Sequence, residues 1–483
     1  MLDELRRLAR EHPDRPAVAN AREGLTYAGL VERAEGLARL LREGEVVAAA
    51  LPSGPAFTAA HLAALEVGAV FVPVAHKSTP DELRRAFAVA PPQAVVVDEG
   101  SQDAVAEAAA DHEARPIEAR PDGWHGDAPA GPAPERWLPD GTAMVQFTSG
   151  STGVPKGIVL SHTNLAAGIA QNQAFLARFA GRSVFSPMPQ FHAMGGAVVL
   201  EHLRHGASVL VANRFVPGDD KKRMEAAGVE LIVASPSYFR MVLRLGLLAR
   251  LASLRGIALG SAAADQALVG GVREAREDLS IHLRYGLSEA FGALTRLDID
   301  AGHTLPPPGL VGPALPGVAV SPLPPPGARS AEALRVRSDA VAVGIVLGDR
   351  SWAPLADGDG HLDTGDLAFG DEAGVHLRGR RSQFLKRNGY RIDPGEIEEA
   401  LVAHPAVREA VVVGLPAALA GTQIIAAYEG DVSPRELAEH CLELLSAHKV
   451  PQRLVALERL TRTRTGKPDR TRIRQQLEGG SEG

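Results

Sequence analysis

The chain has 483 residues, 45% apolar and 23% charged, with a formal net charge of −7. That size and balance read as a globular protein of at least two domains and exclude a global basic field for nucleic acid. The single cysteine, Cys441, excludes an internal disulfide and a cysteine-built zinc site. The N-terminal MLDELRRLAREHPDRP is charged and amphipathic without the apolar segment of a secretory signal. No apolar run approaches the length of a membrane span. A cytoplasmic protein is expected, with neither membrane nor nucleic acid as partner.

The first third alternates between helical and strand patterns. Residues 27–43 place Leu30, Ala34, Leu37 and Leu41 on one helical face. Strand-like EVVAAAL follows. Ser53 is the expected cap of a helix over 56–67. FVPVA predicts the next strand, and Thr79-Pro80 opens another helix with proline at its first position. QAVVVDEG ends a further strand. Residues 124–141, WHGDAPAGPAPERWLPDG, read as a linker.

Then comes FTSGSTGVPKG (147–157), with three glycines, four hydroxyls and one lysine. The P-loop pattern fails, because Lys156 sits between Pro155 and Gly157. The dinucleotide fingerprint fails too, since Gly150 and Gly153 have no third glycine in place. The physical logic survives: glycines permit close backbone approach, and successive N–H groups make a concavity for an anion. A polar surface loop is the plain alternative.

After this loop, SVFSPMP, ASVLVA, ELIVAS and RGIALGS are strands between helical stretches, the pattern of parallel sheets covered by helices. Ligands in such folds sit at the carboxyl ends of strands. SPMPQFHAMGG, IVASPSYF, ALGSAAA and LRYGLSEA are therefore expected around one crevice. LRVRSDAVAVGIVLG and AGVHLRGR look antiparallel. From residue 383 a small α+β unit follows: strand FLKRNG, helix PGEIEEALVAH, strands REAVVVGLP and TQIIAAYEG, helix SPRELAEHCLELLSAH.

Four later stretches carry reactive groups, each with a plain alternative. YGLSE (285–289) offers an aromatic plate, a hydroxyl and a carboxylate, or a tight turn. DTGD (363–366) offers two carboxylates, or an ordinary turn. Gly379-Arg380 precedes the small unit. Thr465-Gly466-Lys467 lies among Arg462, Arg464 and Arg470 and alone reads as a basic tail.

In this order, TSGSTGVPKG, YGLSE, DTGD, GRRSQFLKRNGYRIDPGEIE and TRTGKPDR resemble the motifs of the adenylate-forming superfamily. That superfamily contains acyl- and aryl-CoA synthetases, adenylation domains of peptide synthetases, and firefly luciferase. The resemblance covers nearly the whole chain. It implies an α/β fold: a large N-terminal domain (1–381) of helix-covered parallel sheets with a β-rich part (310–381), a hinge at Ser382, and a small mobile α+β domain (383–483).

The resemblance also implies two half-reactions. A carboxylate attacks the α-phosphate of ATP, giving acyl-AMP and pyrophosphate. The small domain then rotates, and a thiol of CoA, or of a carrier protein's phosphopantetheine, displaces AMP. Both first reactants are anions, so preorganised cations and dipoles are the remedy the chemistry needs. By resemblance, Lys467 meets the carboxylate and the α-phosphate, Ser288 bonds the α-phosphate, and Glu289 holds Mg²⁺, a hard cation suited to such oxygens. Tyr285 stacks on adenine, with Gly260, Ser261 and Ala262 on its other side. Asp366 accepts the ribose hydroxyls and Arg380 reinforces that grip. Thr148, Ser149, Gly150, Ser151, Thr152, Gly153 and Lys156 cradle the departing phosphates. Ser382 departs from the Asp or Lys usual at the family's hinge. Lys386 and Gly389 match positions that face the site after rotation, Gly389 letting pantetheine pass; Lys386 equally reads as a solvated strand residue.

Phe191-His192 stands where domains that activate α-amino acids carry Phe-Asp. Neutral histidine is no counter-ion for an ammonium, so α-amino acids are disfavoured. His192 otherwise packs for shape. Met194, Gly195, Gly286, Leu287 and Ala290 are small or apolar and suggest a roomy pocket for an aryl or medium-chain acyl acid. Ser235, Ser237, Tyr238 and Arg284 are candidate polar contacts; Arg284 either meets a hydroxyl or second carboxylate or points to solvent, and solvent is the favoured reading. Two other functions compete: an adenylating enzyme that loads a carrier protein or an amine, or adenylates another oxyanion, and a catalytically silent nucleotide-binding homologue. Intact Lys467, Glu289 and Asp366 argue against the silent one.

Overall fold

The fold is that of a computed structural model, which describes residues 1–131, 135–148, 155–212, 216–262, 264–301, 306–328, 330–348, 350–380, 385–387, 390–392, 394–417, 421–445, 449–463 and 467–479. Two compact units divide it. The first takes in Met1–Ser321, Arg335–Asp363 and Glu372–Val375; the second takes in Pro322–Leu334, Thr364–Asp371 and His376–Gly483.

The first unit contains the two helix-covered sheets that the alternation predicts. In a nine-stranded sheet, Val46–Ala49 lies parallel between Val70–Pro73 and Ala94–Val97, and Ala94–Val97 lies parallel to Arg115–Arg120. The strands Val46–Ala49, Val70–Pro73 and Ala94–Val97 are apolar and buried along their whole length, as expected for parallel strands covered on both faces. Thr142–Thr148 joins Val70–Pro73 in parallel and turns back antiparallel onto Lys156–Ser161.

An eight-stranded sheet runs in space Thr295–Ile299, Ser280–Tyr285, Gly256–Leu259, Leu231–Ala234, Ser183–Ser186, Ser208–Val211, Pro16–Ala19, Gly24–Thr26. The strands from Ser280–Tyr285 to Ser208–Val211 are all parallel, so their carboxyl ends share one edge. One core joins the two sheets, with Val47, Phe71 and Ala143 of one and Val184, Leu231 and Ala258 of the other in a single buried cluster.

Local signals held in places and lost in others. Thr79 and Glu82 form a reciprocal cap on the helix Pro80–Val89. Ser53 does not cap the helix Pro55–Val67, whose N-cap is Gly54 without a side-chain bond. Its Oγ instead accepts the backbone N–H of Gln190 at 2.9 Å. The helix from Tyr27 stops at Ala38, because the chain tightens there and Leu40 N–H bonds Leu37 O at 2.8 Å. The start of the expected linker is an edge strand, Gly123–Gly126, on Arg115–Arg120. Trp124 anchors it: Nε1 donates to Arg33 O at 2.7 Å, and the Arg33 guanidinium lies over the ring.

In the second unit Val407–Ala417 and Gly421–Gly430 pair antiparallel, and Arg453–Ala456 joins in parallel. The helices Pro394–Val402 and Pro434–Leu444 contribute Ile397, Leu401, Leu437 and Cys441 to its core beside Tyr428. Burial pushes the Cys441 thiol up to about 11. Among the described residues no helix is long and apolar enough to cross a membrane.

Candidate active site

The carboxyl edge of the eight-stranded sheet gathers the expected stretches. The strand Ser183–Ser186 leads through Phe191 to the helix Ala193–Arg204, whose N-cap residue is His192. The Phe191 and His192 rings lie 4.1 Å apart. Buried Gln146 donates from Nε2 to Phe191 O at 2.9 Å and holds this turn against the other sheet. Met194 lies on Gly260, where an added Cβ would come within 3.0 Å of its Cε. The absence of a side chain at Gly260 lets the Met194 thioether lie close to that backbone. Gly195 is buried in the helix's first turn.

Ser261 follows with φ of 65°, in the left-handed region that a non-glycine residue occupies at a cost of about 1–3 kcal/mol. Ala262 is exposed beside it. Strain of this kind concentrates where a backbone must serve a ligand.

Tyr285 ends the strand Ser280–Tyr285 and is buried. Gly286 after it is exposed, Leu287, Ser288 and Glu289 are half-buried, and Ala290 is buried. The loop backbone is tied down: Ala290 N–H bonds Leu287 O at 3.2 Å, and Ala342 N–H bonds Glu289 O at 2.9 Å. Ser288 and Glu289 thus keep part of their surface in solvent on a fixed main chain.

Two expected pocket contacts have structural partners. Ser235 is the N-cap of the helix Pro236–Arg244 and shares a 2.9 Å bond with Ser237 Oγ. Tyr238 is buried, which pushes its hydroxyl well above the ordinary tyrosine range. Arg284 does not point to solvent. Its Nη2 donates to both oxygens of fully buried Glu201, at 3.1 and 2.8 Å. Burial pushes the Glu201 carboxyl up, with Arg284 opposing. The sequence reading missed Glu201. The available signal was one acid inside the apolar run AVVLEHL, where an unpartnered charge is too costly to bury.

The two strands that flank the expected phosphate loop, Thr142–Thr148 and Lys156–Ser161, pair antiparallel. Thr148 and Lys156 are direct partners across them, so their side chains share one face. Ser149, Gly150, Ser151, Thr152 and Gly153 lie outside the described residues.

In the second unit Asp366 is buried on the strand Leu362–Asp371. Its N–H bonds Thr364 Oγ1 at 3.1 Å, and that hydroxyl donates to Leu334 O at 2.9 Å. Arg380 ends the strand Gly374–Arg380, and Lys386 pairs with Arg391 in a two-stranded ribbon. The side chains of Arg380 and Lys386, and all of Ser382 and Gly389, lie outside the described residues. Lys467 is exposed just before the helix Arg470–Gly479, its carbonyl bonded by Thr463 N–H at 2.8 Å. Two of its basic neighbours are in ion pairs. Arg470 pairs with Glu398 at 2.6 Å, and Arg462 pairs with Glu409.

The family model for AMP-binding enzymes matches residues 5–327, and that for the AMP-binding enzyme C-terminal domain matches residues 396–467. The chain is 30% identical over 346 residues to the 2-succinylbenzoate–CoA ligase of Bacillus mycoides (strain KBAB4), covering 69% of each protein. It superposes on ATP-bound MatB from Rhodopseudomonas palustris with a TM-score of 0.83, at 25% identity and 99% coverage of both chains. The amide bond synthetase McbA from Marinactinospora thermotolerans shares the fold, with a TM-score of 0.82, 24% identity and 99% coverage of both. This chain belongs to the family of AMP-binding enzymes.

Proposed function

We propose that this protein activates an aryl or medium-chain acyl carboxylic acid with ATP and passes the acyl group to the thiol of CoA. The observation that carries the reading is the convergence, at one sheet edge, of an apolar turn (191–195), a strained backbone turn (260–262) and a fixed loop bearing Ser288 and Glu289. In the first half, a carboxylate oxygen bonds the α-phosphorus, the bond from that phosphorus to the bridging oxygen breaks, and pyrophosphate leaves. In the second, the thiol sulfur bonds the acyl carbon, its proton goes to solvent, and AMP leaves.

Under this reading Tyr285 and the 260–262 turn flank adenine, Ser288 donates to the α-phosphate, and Asp366 with Arg380 holds the ribose. Thr148 and Lys156, on one face of their paired strands, hold the phosphates that depart. Lys467 neutralises the meeting anions. Lys386 and Gly389 serve the thiol step, and Ser382 is the hinge between domains 1–381 and 383–483. Mg²⁺ fits at Glu289. The described residues hold no group of three His, Cys, Asp or Glu placed as a metal cage, and one partly exposed carboxylate suits a cation that draws its remaining ligands from phosphate and water. When bound, it offsets phosphate charge.

Phe191, His192, Met194, Gly195, Leu287 and Ala290 form the acid pocket, with Ser235 and Gly286 at its border. The test is pyrophosphate release over fatty, aryl and amino acids, with and without CoA. Release is expected with aryl or medium-chain acids, and thioester only when CoA is added. Release confined to α-amino acids, or none with any acid, overturns the reading.

A further inference from the structure

Among the buried charged groups of the described residues, Glu201 and Arg284 lie against the proposed site. Glu201 lies two turns into the helix that starts at the pocket turn, and Arg284 lies beside Tyr285 on the strand that feeds the Ser288–Glu289 loop. Their side chains are 0% and 7% exposed. A charge pair this dry is costly to assemble and is weak evidence of a need for stability. Apolar residues of similar volume serve a fold equally well.

Its position is informative. Asn172, itself fully buried, donates to Glu201 Oε1 at 3.4 Å and to Gly168 O at 3.1 Å. A Cβ placed on Gly292, whose φ is +83°, would lie 3.0 Å from Glu201 Oε1 and 3.2 Å from Asn172 Nδ2. A Cβ on Gly286 would lie 2.4 Å from Gly292 O. The loop 286–292 therefore closes on itself, and its closing residue rests on the Glu201 carboxylate. The far side is held as firmly. Phe291 N–H bonds Ala340 O at 3.0 Å, and Asn164 Nδ2 donates to Asp339 O at 2.7 Å and to Val341 O at 2.8 Å.

We infer that the Glu201–Arg284 pair, with Asn172, is a positioning device that sets the height and angle of the Ser288–Glu289 loop and locks it to the helix carrying His192 and Met194. Glu201 touches no substrate; it acts through Gly292 and Arg284. Arg284 Nη2 bridges both oxygens of the Glu201 carboxylate, a charge-assisted contact that ties the strand to the helix. Misplacing catalytic groups by about 1 Å costs on the order of a hundredfold in rate.

The inference rests on the proposed role of Glu289, and its test separates the two. Glu201→Gln and the double variant Glu201→Leu/Arg284→Met are compared with the wild type for thermal midpoint, kcat, KM for the acid, and the Mg²⁺ concentration that half-saturates pyrophosphate release. The double variant is expected to melt near the wild-type temperature, yet to lose about a hundredfold in kcat and to need several-fold more Mg²⁺. Glu201→Gln is expected to shift kcat and Mg²⁺ demand the same way by a smaller factor. Wild-type kcat and Mg²⁺ demand in either folded variant overturns the inference. So does a double variant that does not fold, since the pair would then serve the fold itself. A Glu289→Gln enzyme with unchanged Mg²⁺ demand would instead remove Glu289 from the metal, whatever Glu201 does.

Discussion

The two parallel sheet edges in the first unit make a useful comparison. Both present loops at the carboxyl ends of parallel strands, where ligands bind in folds of this kind. On the nine-stranded sheet the polar groups that follow Val70–Pro73 and Ala94–Val97 serve each other. His76 Nε2 lies 2.8 Å from Asp98 Oδ1, and the same carboxylate accepts Ser101 Oγ and Gly100 N–H at 3.1 Å each. On the eight-stranded sheet the polar groups that serve the structure are sunk below the edge, as Glu201 and Arg284. Ser288 and Glu289 above them keep surface in solvent. At the eight-stranded edge the carboxylate that holds the fold, Glu201, differs from the one left open to solvent, Glu289.

The largest expected effect tests whether the eight-stranded edge suffices alone. Lys467→Ala should lower acid-dependent pyrophosphate release by about 100–1,000-fold. A near-wild-type rate would mean that the edge needs no lysine from the second unit. Lys156→Ala probes the antiparallel strand pair of the nine-stranded sheet. Loss of one charged hydrogen-bond donor is worth about 1.5–3 kcal/mol, which is roughly ten- to hundredfold in ATP use. Thioester formation from supplied acyl-AMP should be spared; equal loss in both assays would remove Lys156 from the departing phosphates.

His192→Asp sharpens the comparison at the pocket turn. It should change relative kcat/KM among acids by about tenfold, against the apolar ones. An unchanged profile would take His192 out of the pocket.

The smallest effect is expected at the His76–Asp98 cluster of the nine-stranded sheet. Burial raises the Asp98 carboxyl, but the His76 and Ser101 bonds bring it below its ordinary value overall. A carboxyl depressed in the folded state stabilises above its unfolded pKa, and that gain is lost as pH falls through its folded one. Asp98→Asn should therefore cost about 1 kcal/mol at neutral pH, read as a lower thermal midpoint. The difference should close below about pH 4, and turnover should stay unchanged. A fall in kcat at an unchanged midpoint would make this cluster functional too.

How much was legible follows from distance along the chain. The Thr79 cap and the strand end at Tyr285 are read from short contiguous strings, and their geometry is local. The helix from Tyr27 was read too long, because periodicity shows a face and not the tightened turn at Leu40. Ser53 looked like a cap and became a tie to Gln190, 137 positions away. Trp124, inside an apparent linker, became an edge-strand anchor because Arg33 O lay in reach of its indole.

Alternating apolar strands and helices, and the order of five short motifs, were enough for fold class, family and half-reactions, because period and motif act over a few residues. Tertiary structure alone decided what Arg284 does. A guanidinium beside a strand end reads as solvated until a helix brings a carboxylate from 83 positions earlier and water is excluded from both. Burial sets the worth of a charge, and burial belongs to the assembled fold.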